Sequence, residues 1–265
     1  MTYKIAVAGK GGCGKTSIAS LVVRYLKNNG KTPILAVDAD PNENLGESIG
    51  LKVRQTIGTI LSSFQYDKIK IPPGMTKEAY LQYKLNENIV ESNGLDLITM
   101  GRGQGPECYC YPNTVLKNFI ENLSGGYRFV VMDNEAGMEH LSRKTTEDVD
   151  VLLLVSNHTV KGVRAIARIK ELVKELKLNV KQQIAIVNNV EGKLDDLVSQ
   201  EMVQLGFKAD VVIPADDQLY RSDLAQKPLV MMPDSSPAVQ AVNRMMDSIF
   251  STTILLAERN SQLTE

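Results

Sequence analysis

The sequence contains no tryptophan, few aromatic residues and no long apolar run. Phe, Trp and Tyr make up 5% of the 265 residues, which argues against a protein that stacks nucleic-acid bases on aromatic side chains. No stretch approaches the roughly 18 consecutive apolar residues that a membrane-spanning helix needs. The first residues also lack a basic stretch followed by an apolar core, so the sequence predicts a cytoplasmic protein without a membrane partner.

An excess of charge of one sign is also missing. The 30 Lys and Arg residues face 31 Asp and Glu residues, which gives a formal net charge of −1. Nucleic-acid binding by release of counterions requires a basic surface, and the sequence has no run rich in Lys and Arg. We therefore expect no nucleic-acid partner.

Cysteine is scarce, and the three present are Cys13, Cys108 and Cys110. An odd number of thiols in a chain predicted to lack a secretory leader argues against a disulfide framework. The thiols are therefore expected to serve chemistry or packing.

Short apolar runs alternate with helical patterns along most of the chain. Such runs are typical of buried strands in a mainly parallel sheet, and apolar spacings of three and four residues are typical of amphipathic helices. The predicted strands are Lys4–Ala8, Pro33–Val37, Leu95–Met100, Phe129–Met132, Val151–Val155, Ile184–Asn188 and Val211–Ile213. The predicted helices include Lys15–Asn28, Val163–Leu176 and a closing helix at Pro237–Leu256. Together they predict an α/β fold, with one doubly wound domain over residues 1–265.

Two segments interrupt this alternation. Residues 51–94 form a long insertion with helical patterns, broken by a Pro-Pro pair at residues 72–73. Residues 101–111 are rich in glycine and contain Cys108 and Cys110. Because long insertions in a compact domain often carry function, both are candidate functional segments.

Residues 9–16, with the sequence GKGGCGKT, follow a predicted strand and open a predicted helix. This is the context that the phosphate-binding motif G-x-x-x-x-G-K-[ST] requires. Glycines allow backbone N–H groups to converge on phosphate oxygens, Lys15 neutralises the β and γ phosphates, and Thr16 can ligate Mg²⁺. Cys13 is expected to be a small filler of the variable position. The predicted ATP contacts in this segment are Gly9, Lys10, Gly11, Gly12, Cys13, Gly14, Lys15, Thr16 and Ser17.

Lys10, directly after the first glycine, is not required to bind phosphate. The pattern K-G-G-x-G-K-T resembles the deviant Walker A motif of the ATPases that include nitrogenase iron protein, MinD and the ParA partition proteins. In that family the extra lysine reaches across a homodimer to the partner's phosphates. The resemblance therefore implies a P-loop ATPase in which Lys10 and Lys15 are catalytic and ATP binding accompanies dimerisation.

The resemblance extends to carboxylates at the ends of two predicted strands. The run DADP at residues 38–41 resembles the family's first switch, in which Asp40 would orient the attacking water and Asp38 would support the Mg²⁺ shell. Asp133 resembles the Walker B aspartate that holds the Mg²⁺ water shell, and Gly137 lies in the second switch that follows. Carboxylates beside Mg²⁺ and a lysine suffice for phosphoryl transfer, which depends on positioning and charge neutralisation.

The nucleotide base is expected at the ends of two late strands, as is common in this family. Asn188 follows one predicted strand, and Pro214 and Asp216 follow the next. Asn189 is an equal candidate if the register differs by one residue.

The two histidines, His140 and His158, are expected to be packed or hydrogen-bonded rather than catalytic. No other pairing of a nucleophile with a base is visible in the sequence.

Cys108 and Cys110 are separated by one residue, and a disulfide between them would be strained. Two such thiolates can instead chelate one metal ion, but they fill only half of its coordination sphere. A symmetric dimer would bring two pairs together and complete four thiolates. Four sulfurs suit Zn²⁺, an iron–sulfur cluster or, in a planar arrangement, Ni²⁺.

Together with residues 38–41 and 132–141, this Cys-x-Cys loop resembles the nickel-insertion maturation ATPases of carbon monoxide dehydrogenase and acetyl-CoA synthase. The resemblance covers essentially the whole chain. It implies a homodimer that binds ATP and Mg²⁺, holds Ni²⁺, or Zn²⁺ in its place, at Cys108 and Cys110, and delivers nickel to one of these client enzymes. Which enzyme is the client, and whether ATP or metal drives dimerisation, stays open.

Two other functions stay open as well. An ATP-gated electron carrier similar to nitrogenase iron protein would share an iron–sulfur cluster, but that family takes its cysteines from widely separated loops and no cysteine follows Cys110. A positioning ATPase of the MinD or ParA type would need a basic terminus or surface, and the closing helix carries little positive charge.

Overall fold

The computed structural model describes residues 2–65, 71–102, 118–135 and 148–262. Seven strands of this described part form one sheet in the order β3-β2-β4-β1-β5-β6-β7, and every pairing between them is parallel. The strands are β1 (Tyr3–Gly9), β2 (Ile34–Ala39), β3 (Leu95–Thr99), β4 (Phe129–Asn134), β5 (Asp148–Asn157), β6 (Asn179–Val190) and β7 (Val211–Pro214). The predicted α/β fold is confirmed, and the sheet is wholly rather than mainly parallel.

All seven predicted strands are confirmed, and β5 and β6 are markedly longer than predicted. Both extend toward their amino ends through polar residues that no apolar pattern marks. Side-chain pairs between the two strands support the extension, since Asn179 Nδ2 donates to Asp148 Oδ1 at 2.8 Å and Lys181 Nζ donates to Asp150 Oδ1 at 2.6 Å.

Helices cover both faces of the sheet. They include α1 (Lys15–Asn28), α2 (Asn44–Ile49), α3 (Ile57–Gln65), α4 (Lys77–Glu87), α5 (Val160–Glu175), α6 (Asp196–Gln204), α7 (Asp217–Leu224) and α8 (Pro237–Gln262), with a short 3-10 helix at Leu229–Met231 and a helical stretch at 118–124. The helices α1 and α8 pack on one face, and α3 and α5 pack on the other. None of the described helices is both long enough and apolar enough to span a membrane.

The core lies on both faces because each strand alternates its side chains. On β1, Ile5 and Val7 join the cluster under α1 and α8, whereas Ala6 and Ala8 join the cluster under α3 and α5. Strands that are buried on both faces appear in a sequence as continuous apolar runs, and this is why they could be predicted.

Residues 51–94, predicted to be a helical insertion, contain α3 and α4 within their described part. Helix α4 begins after Thr76, whose Oγ1 accepts a hydrogen bond from Ala79 N at 3.1 Å. Most of the 101–111 segment lies outside the described residues, and Arg102 is its last described position.

Candidate functional site

The predicted phosphate loop connects β1 to α1 at the carboxyl edge of the sheet. Gly14 has a φ of 91°, a left-handed conformation that favours glycine. A Cβ on Gly9 would lie 2.1 Å from the carbonyl oxygen of Val155, so the loop passes directly over the end of β5. The loop therefore leaves the sheet in a path that requires glycine, and it presents backbone N–H groups at the start of α1.

Asn188 lies against this loop. Its Nδ2 donates to the carbonyl oxygen of Cys13 at 2.9 Å, and a Cβ on Gly14 would lie 2.3 Å from the same nitrogen. Asn189, the alternative candidate for the base, is exposed and has a left-handed φ of 57°. The structure therefore brings Asn188, and not Asn189, to the nucleotide loop.

Cys13 fills a small space beneath the loop. Its side chain is buried, and Sγ donates to the Val155 carbonyl oxygen at 3.2 Å. Burial raises the pKa of the Cys13 thiol, although Lys15 works in the opposite direction. A protonated, buried thiol is a poor metal ligand, and this agrees with the predicted role as a filler.

Thr16 and Asp133 form the centre of the candidate Mg²⁺ site. Thr16 Oγ1 donates to Asp133 Oδ2 at 2.6 Å, and Lys15 nearby is only 6% exposed. The other carboxylate oxygen of Asp133, Oδ1, is buried and has no hydrogen-bond partner among the described residues. Burial raises the pKa of Asp133 to about 6, despite the opposing effects of Thr16 and Lys15. An unpaired carboxylate oxygen beside a threonine hydroxyl fits the donor set of a hydrated Mg²⁺, which prefers oxygen ligands.

Asp38 is fully buried at the end of β2 and holds the chain that follows it. Its Oδ1 accepts from Asp40 N at 3.1 Å, and its Oδ2 accepts from Leu45 N at 2.9 Å. Burial, together with the nearby carboxylate of Asp133, raises the pKa of Asp38 to about 7. Both oxygens are thus engaged with the first switch, and each keeps a lone pair that could accept from a water of the Mg²⁺ shell.

Asp40 belongs to a chain of side-chain hydrogen bonds. Its Oδ1 accepts from Asn42 twice, from the backbone N at 2.9 Å and from Nδ2 at 2.8 Å. The Oδ1 of Asn42 in turn accepts from Arg102 Nη2 at 3.3 Å. Sequence analysis singled out neither Asn42 nor Arg102, since Arg102 lies in no motif and is 60 positions from its partner.

Asp216 caps two helices with one carboxylate. Oδ1 accepts from the first turn of α7, at Gln218 N (2.8 Å) and Leu219 N (3.4 Å). Oδ2 accepts from Ser236 Oγ at 2.5 Å and from Ala238 N, in the first turn of α8, at 3.1 Å. Burial opposes ionisation here, but these hydrogen bonds lower the pKa of Asp216. That Asp216 and Pro214 contact the base stays a prediction. Whether or not it does, the Asp216 carboxylate caps α7 and α8.

Lys10 is exposed at the surface of the loop. With Gly9 and Gly11 it lines a cleft of about 780 Å³, whose lining on the side of α5 includes Lys161 and Arg168. An exposed lysine in an open cleft has the reach that a contact with a second subunit requires.

Several predicted residues lie outside the described part of the chain, namely Cys108, Cys110, Gly137 and His140. His158 is described and lies exposed in the turn after β5, so it is not packed; that it is hydrogen-bonded rather than catalytic stays a prediction. Within the described ranges, no group of three or more His, Cys, Asp or Glu residues is arranged to hold a metal ion.

A phosphate loop on a wholly parallel, doubly wound sheet, with Asp133 paired to Thr16, defines the protein as a P-loop nucleoside triphosphatase. Comparisons with known proteins agree. Residues 4–229 match the family model described as the CobQ/CobB/MinD/ParA nucleotide binding domain. The chain belongs to this family of nucleotide-binding ATPases.

Two curated relatives illustrate the range of the family. An ATP-binding protein of Methanocaldococcus jannaschii, described as uncharacterized, is 37% identical over 249 residues, which cover 93% of this chain and 98% of that protein. The carbon monoxide dehydrogenase accessory protein CooC of Rhodospirillum rubrum is 29% identical over 203 residues, 72% of this chain and 76% of that protein.

Solved structures of the family have the same fold. The septum site-determining protein MinD of Pyrococcus horikoshii, complexed with Mg-ADP, has a TM-score of 0.68 at 20% identity, and the match covers 94% of this chain and 96% of that one. A ParA family ATPase of Chlorobium tepidum has a TM-score of 0.70 at 20% identity, with 92% and 96% covered.

Proposed function

We propose that the protein is an ATP-driven nickel-insertion factor for carbon monoxide dehydrogenase or acetyl-CoA synthase. The observation that carries the proposal is the pair Cys108 and Cys110 in a chain that has the phosphate-loop motif and brings Thr16 against Asp133. The similarity to the accessory protein CooC supports it, because that relative is named for carbon monoxide dehydrogenase.

ATP hydrolysis is assigned to the residues at the carboxyl edge of the sheet. Lys15 neutralises the phosphates, Thr16 and Asp133 would hold Mg²⁺, and Asp40 orients the attacking water. The water oxygen forms a bond to the γ-phosphorus while the bond to the β–γ bridging oxygen breaks, and ADP, phosphate and a proton are released. Mg²⁺ supplies neutralisation of the charge that develops on the phosphate oxygens.

Dimerisation links this reaction to the metal. Lys10 of each subunit would contact the phosphates of the other, so ATP favours the closed dimer through its higher affinity for that state. In the closed dimer the thiolates of Cys108 and Cys110 and the same pair of the partner subunit hold Ni²⁺ as cargo. Hydrolysis then favours opening and release of the metal to the client enzyme.

The first experiment measures metal content and molecular mass together. Metal-stripped protein receives Ni²⁺ with and without a non-hydrolysable ATP analogue, beside the double variant Cys108→Ala/Cys110→Ala. The variant Tyr109→Phe is the matched control, since it changes the same loop and keeps both thiols.

We expect one Ni²⁺ per dimer in the wild type and in Tyr109→Phe, and none in the double variant, with ATP binding retained in all three. Equal Ni²⁺ binding by the double variant would contradict the metal-carrier function. Zn²⁺ competes well for thiolates, so the metal found after purification does not by itself identify the cargo.

A positioning ATPase of the MinD or ParA type is the second candidate. The septum site-determining protein MinD of Bacillus subtilis is 23% identical over 242 residues, 89% of this chain and 84% of that protein. ATP-dependent co-sedimentation with liposomes or DNA would favour this function. Purification of a brown protein with visible absorption would instead favour an electron carrier of the iron-protein type.

A further inference from the structure

Arg102 lies in no sequence motif, yet it reaches the first switch. It follows β3, the strand that pairs in parallel with β2, and β2 leads into the switch. The two strand ends are joined again beyond the sheet, because Met100 N donates to the carbonyl oxygen of Asp38 at 2.7 Å. The Arg102 guanidinium then donates to Asn42 at 3.3 Å.

The backbone that carries Arg102 is fixed from the other side. Gly101 has a left-handed φ of 63°, and a Cβ at this position would lie 2.3 Å from Thr56 Oγ1. Gly58 N, in the first turn of α3, donates to the Met100 carbonyl oxygen at 2.8 Å. The position from which Arg102 extends is therefore set by α3 and β2 together.

The contact bears on the reaction through Asn42. This residue donates to Oδ1 of Asp40 from both its backbone and its side chain, so the Asn42 amide must keep one orientation to hold the carboxylate. With its Oδ1 held by Arg102, the amide cannot turn without losing a hydrogen bond.

We infer that Arg102 is a positioning residue for ATP hydrolysis: it acts through Asn42 and keeps the Asp40 carboxylate in place to orient the attacking water. The inference rests on the role proposed above for Asp40.

Loss of the contact between Arg102 and Asn42 should affect hydrolysis but not the stability of the fold. Arg102 and Asn42 are both exposed, so removing the guanidinium leaves no buried polar group without a partner. Neither residue belongs to the phosphate loop. A loss of the contact should therefore lower kcat for Mg-ATP hydrolysis and leave KM and the unfolding temperature nearly unchanged.

The test is a double-mutant cycle on the full-length protein. Arg102→Gln, Asn42→Ala and the combined variant are compared for kcat, KM and thermal unfolding. Arg54→Gln is the control, since it makes the same substitution at another exposed arginine. Asp40→Asn is measured in parallel.

We expect Arg102→Gln to lower kcat by about threefold to tenfold with KM within about twofold, as the loss of one exposed hydrogen bond predicts. In the Asn42→Ala background the same substitution should have no further effect, because the connection is already broken.

An unchanged kcat in Arg102→Gln, or an equal drop in both backgrounds, would overturn the inference. A drop of the same size in Arg54→Gln would overturn it too. If any of these three outcomes is found and Asp40→Asn is inactive, the inference about Arg102 fails but the proposed ATPase function stands. Full activity in Asp40→Asn would instead refute the role of Asp40 and the inference together.

Discussion

Asp133 carries the clearest conflict between stability and function at the level of single residues. Its carboxylate is 1% exposed, one of its oxygens has no hydrogen-bond partner within the described part of the chain, and Asp38 nearby is fully buried as well. Burial raises the pKa of both carboxyls, to about 6 for Asp133 and about 7 for Asp38, and the neighbouring carboxylates add to this, Asp40 for Asp133 and Asp133 for Asp38. A bound Mg²⁺ would relieve the conflict by supplying positive charge.

The variant Asp133→Asn should stabilise the nucleotide-free protein at alkaline pH. The folded-state pKa lies above the ordinary value of 3.8, so the wild type loses stability as the pH rises from about 4 through 6, by about 3 kcal/mol for this residue. Asparagine keeps an acceptor for Thr16 and removes the charge. Urea unfolding between about pH 4 and pH 8 measures the difference, which should be absent at the acid end.

The exposed Asp223→Asn serves as the control for Asp133→Asn and should show no such pH-dependent gain. Asp133→Asn should also lose the stabilisation that Mg-ATP gives the wild type. A variant that is less stable than the wild type at pH 8 would show that the Asp133 charge is already compensated in the free protein.

Local sequence patterns predict those parts of the site that short stretches of chain can build. The loop at residues 9–16 could be predicted because it joins a strand to a helix. Asp38 and Asp133 could be predicted because each lies at the carboxyl end of an apolar strand. The contact between Arg102 and Asn42 has no local signal, because it exists only after β2 and β3 pair. The double capping by Asp216 depends in the same way on two helices that meet in the folded chain.

At the level of elements, the strands were predicted better than the short helices. The strands are buried on both faces and therefore form continuous apolar runs. The helices α2, α6 and α7 were not assigned individually, since their short lengths give little periodicity. Aspartates at the N-caps of α6 and α7, Asp195 and Asp216, were the signal that could have located two of them.

The double cap predicts a larger loss of stability than a single cap. Asp216→Ala removes a hydrogen-bond acceptor from α7 and from α8 and should lower the free energy of unfolding by about 2 kcal/mol at neutral pH. Asp195→Ala removes one cap, from α6, and should lower it by about 1 kcal/mol. Urea unfolding of both variants measures the two values.

Acid offers a second check on Asp216. Its lowered pKa means that the stabilisation is present at neutral pH and is lost as the pH falls through that lowered value. The difference between wild type and Asp216→Ala should therefore shrink in acid. Equal losses in Asp216→Ala and Asp195→Ala at neutral pH would contradict the double cap.

At the level of the whole molecule, Lys10 is exposed, and we therefore expect a change at this position to affect dimerisation without affecting folding. Lys10→Ala should fold with the stability of the wild type and bind ATP, because Lys15 provides the buried charge of the loop. The variant should fail to dimerise with a non-hydrolysable ATP analogue, since its closed state would lack the proposed contact with the partner's phosphates. Light scattering measures the mass.

Lys27→Ala, at an exposed lysine near the far end of α1, is the matched control and should dimerise normally. Dimerisation of Lys10→Ala at the concentration of analogue that suffices for the wild type would exclude Lys10 from the subunit contact.

The place of β1 in the sheet has a consequence for the order in which the protein can be made. This strand precedes all the others in the chain, yet both of its neighbours come much later: Ile5 pairs with Val131 on one side and with Val151 on the other. A ribosome must therefore synthesise the chain through β4, the fourth of the seven described strands, before the first strand has any edge to join. Until then its apolar residues stay exposed, and early contact with a chaperone would protect them. The phosphate loop takes shape only once β1 is in place, so nucleotide cannot assist the folding steps that come before β1 joins the sheet.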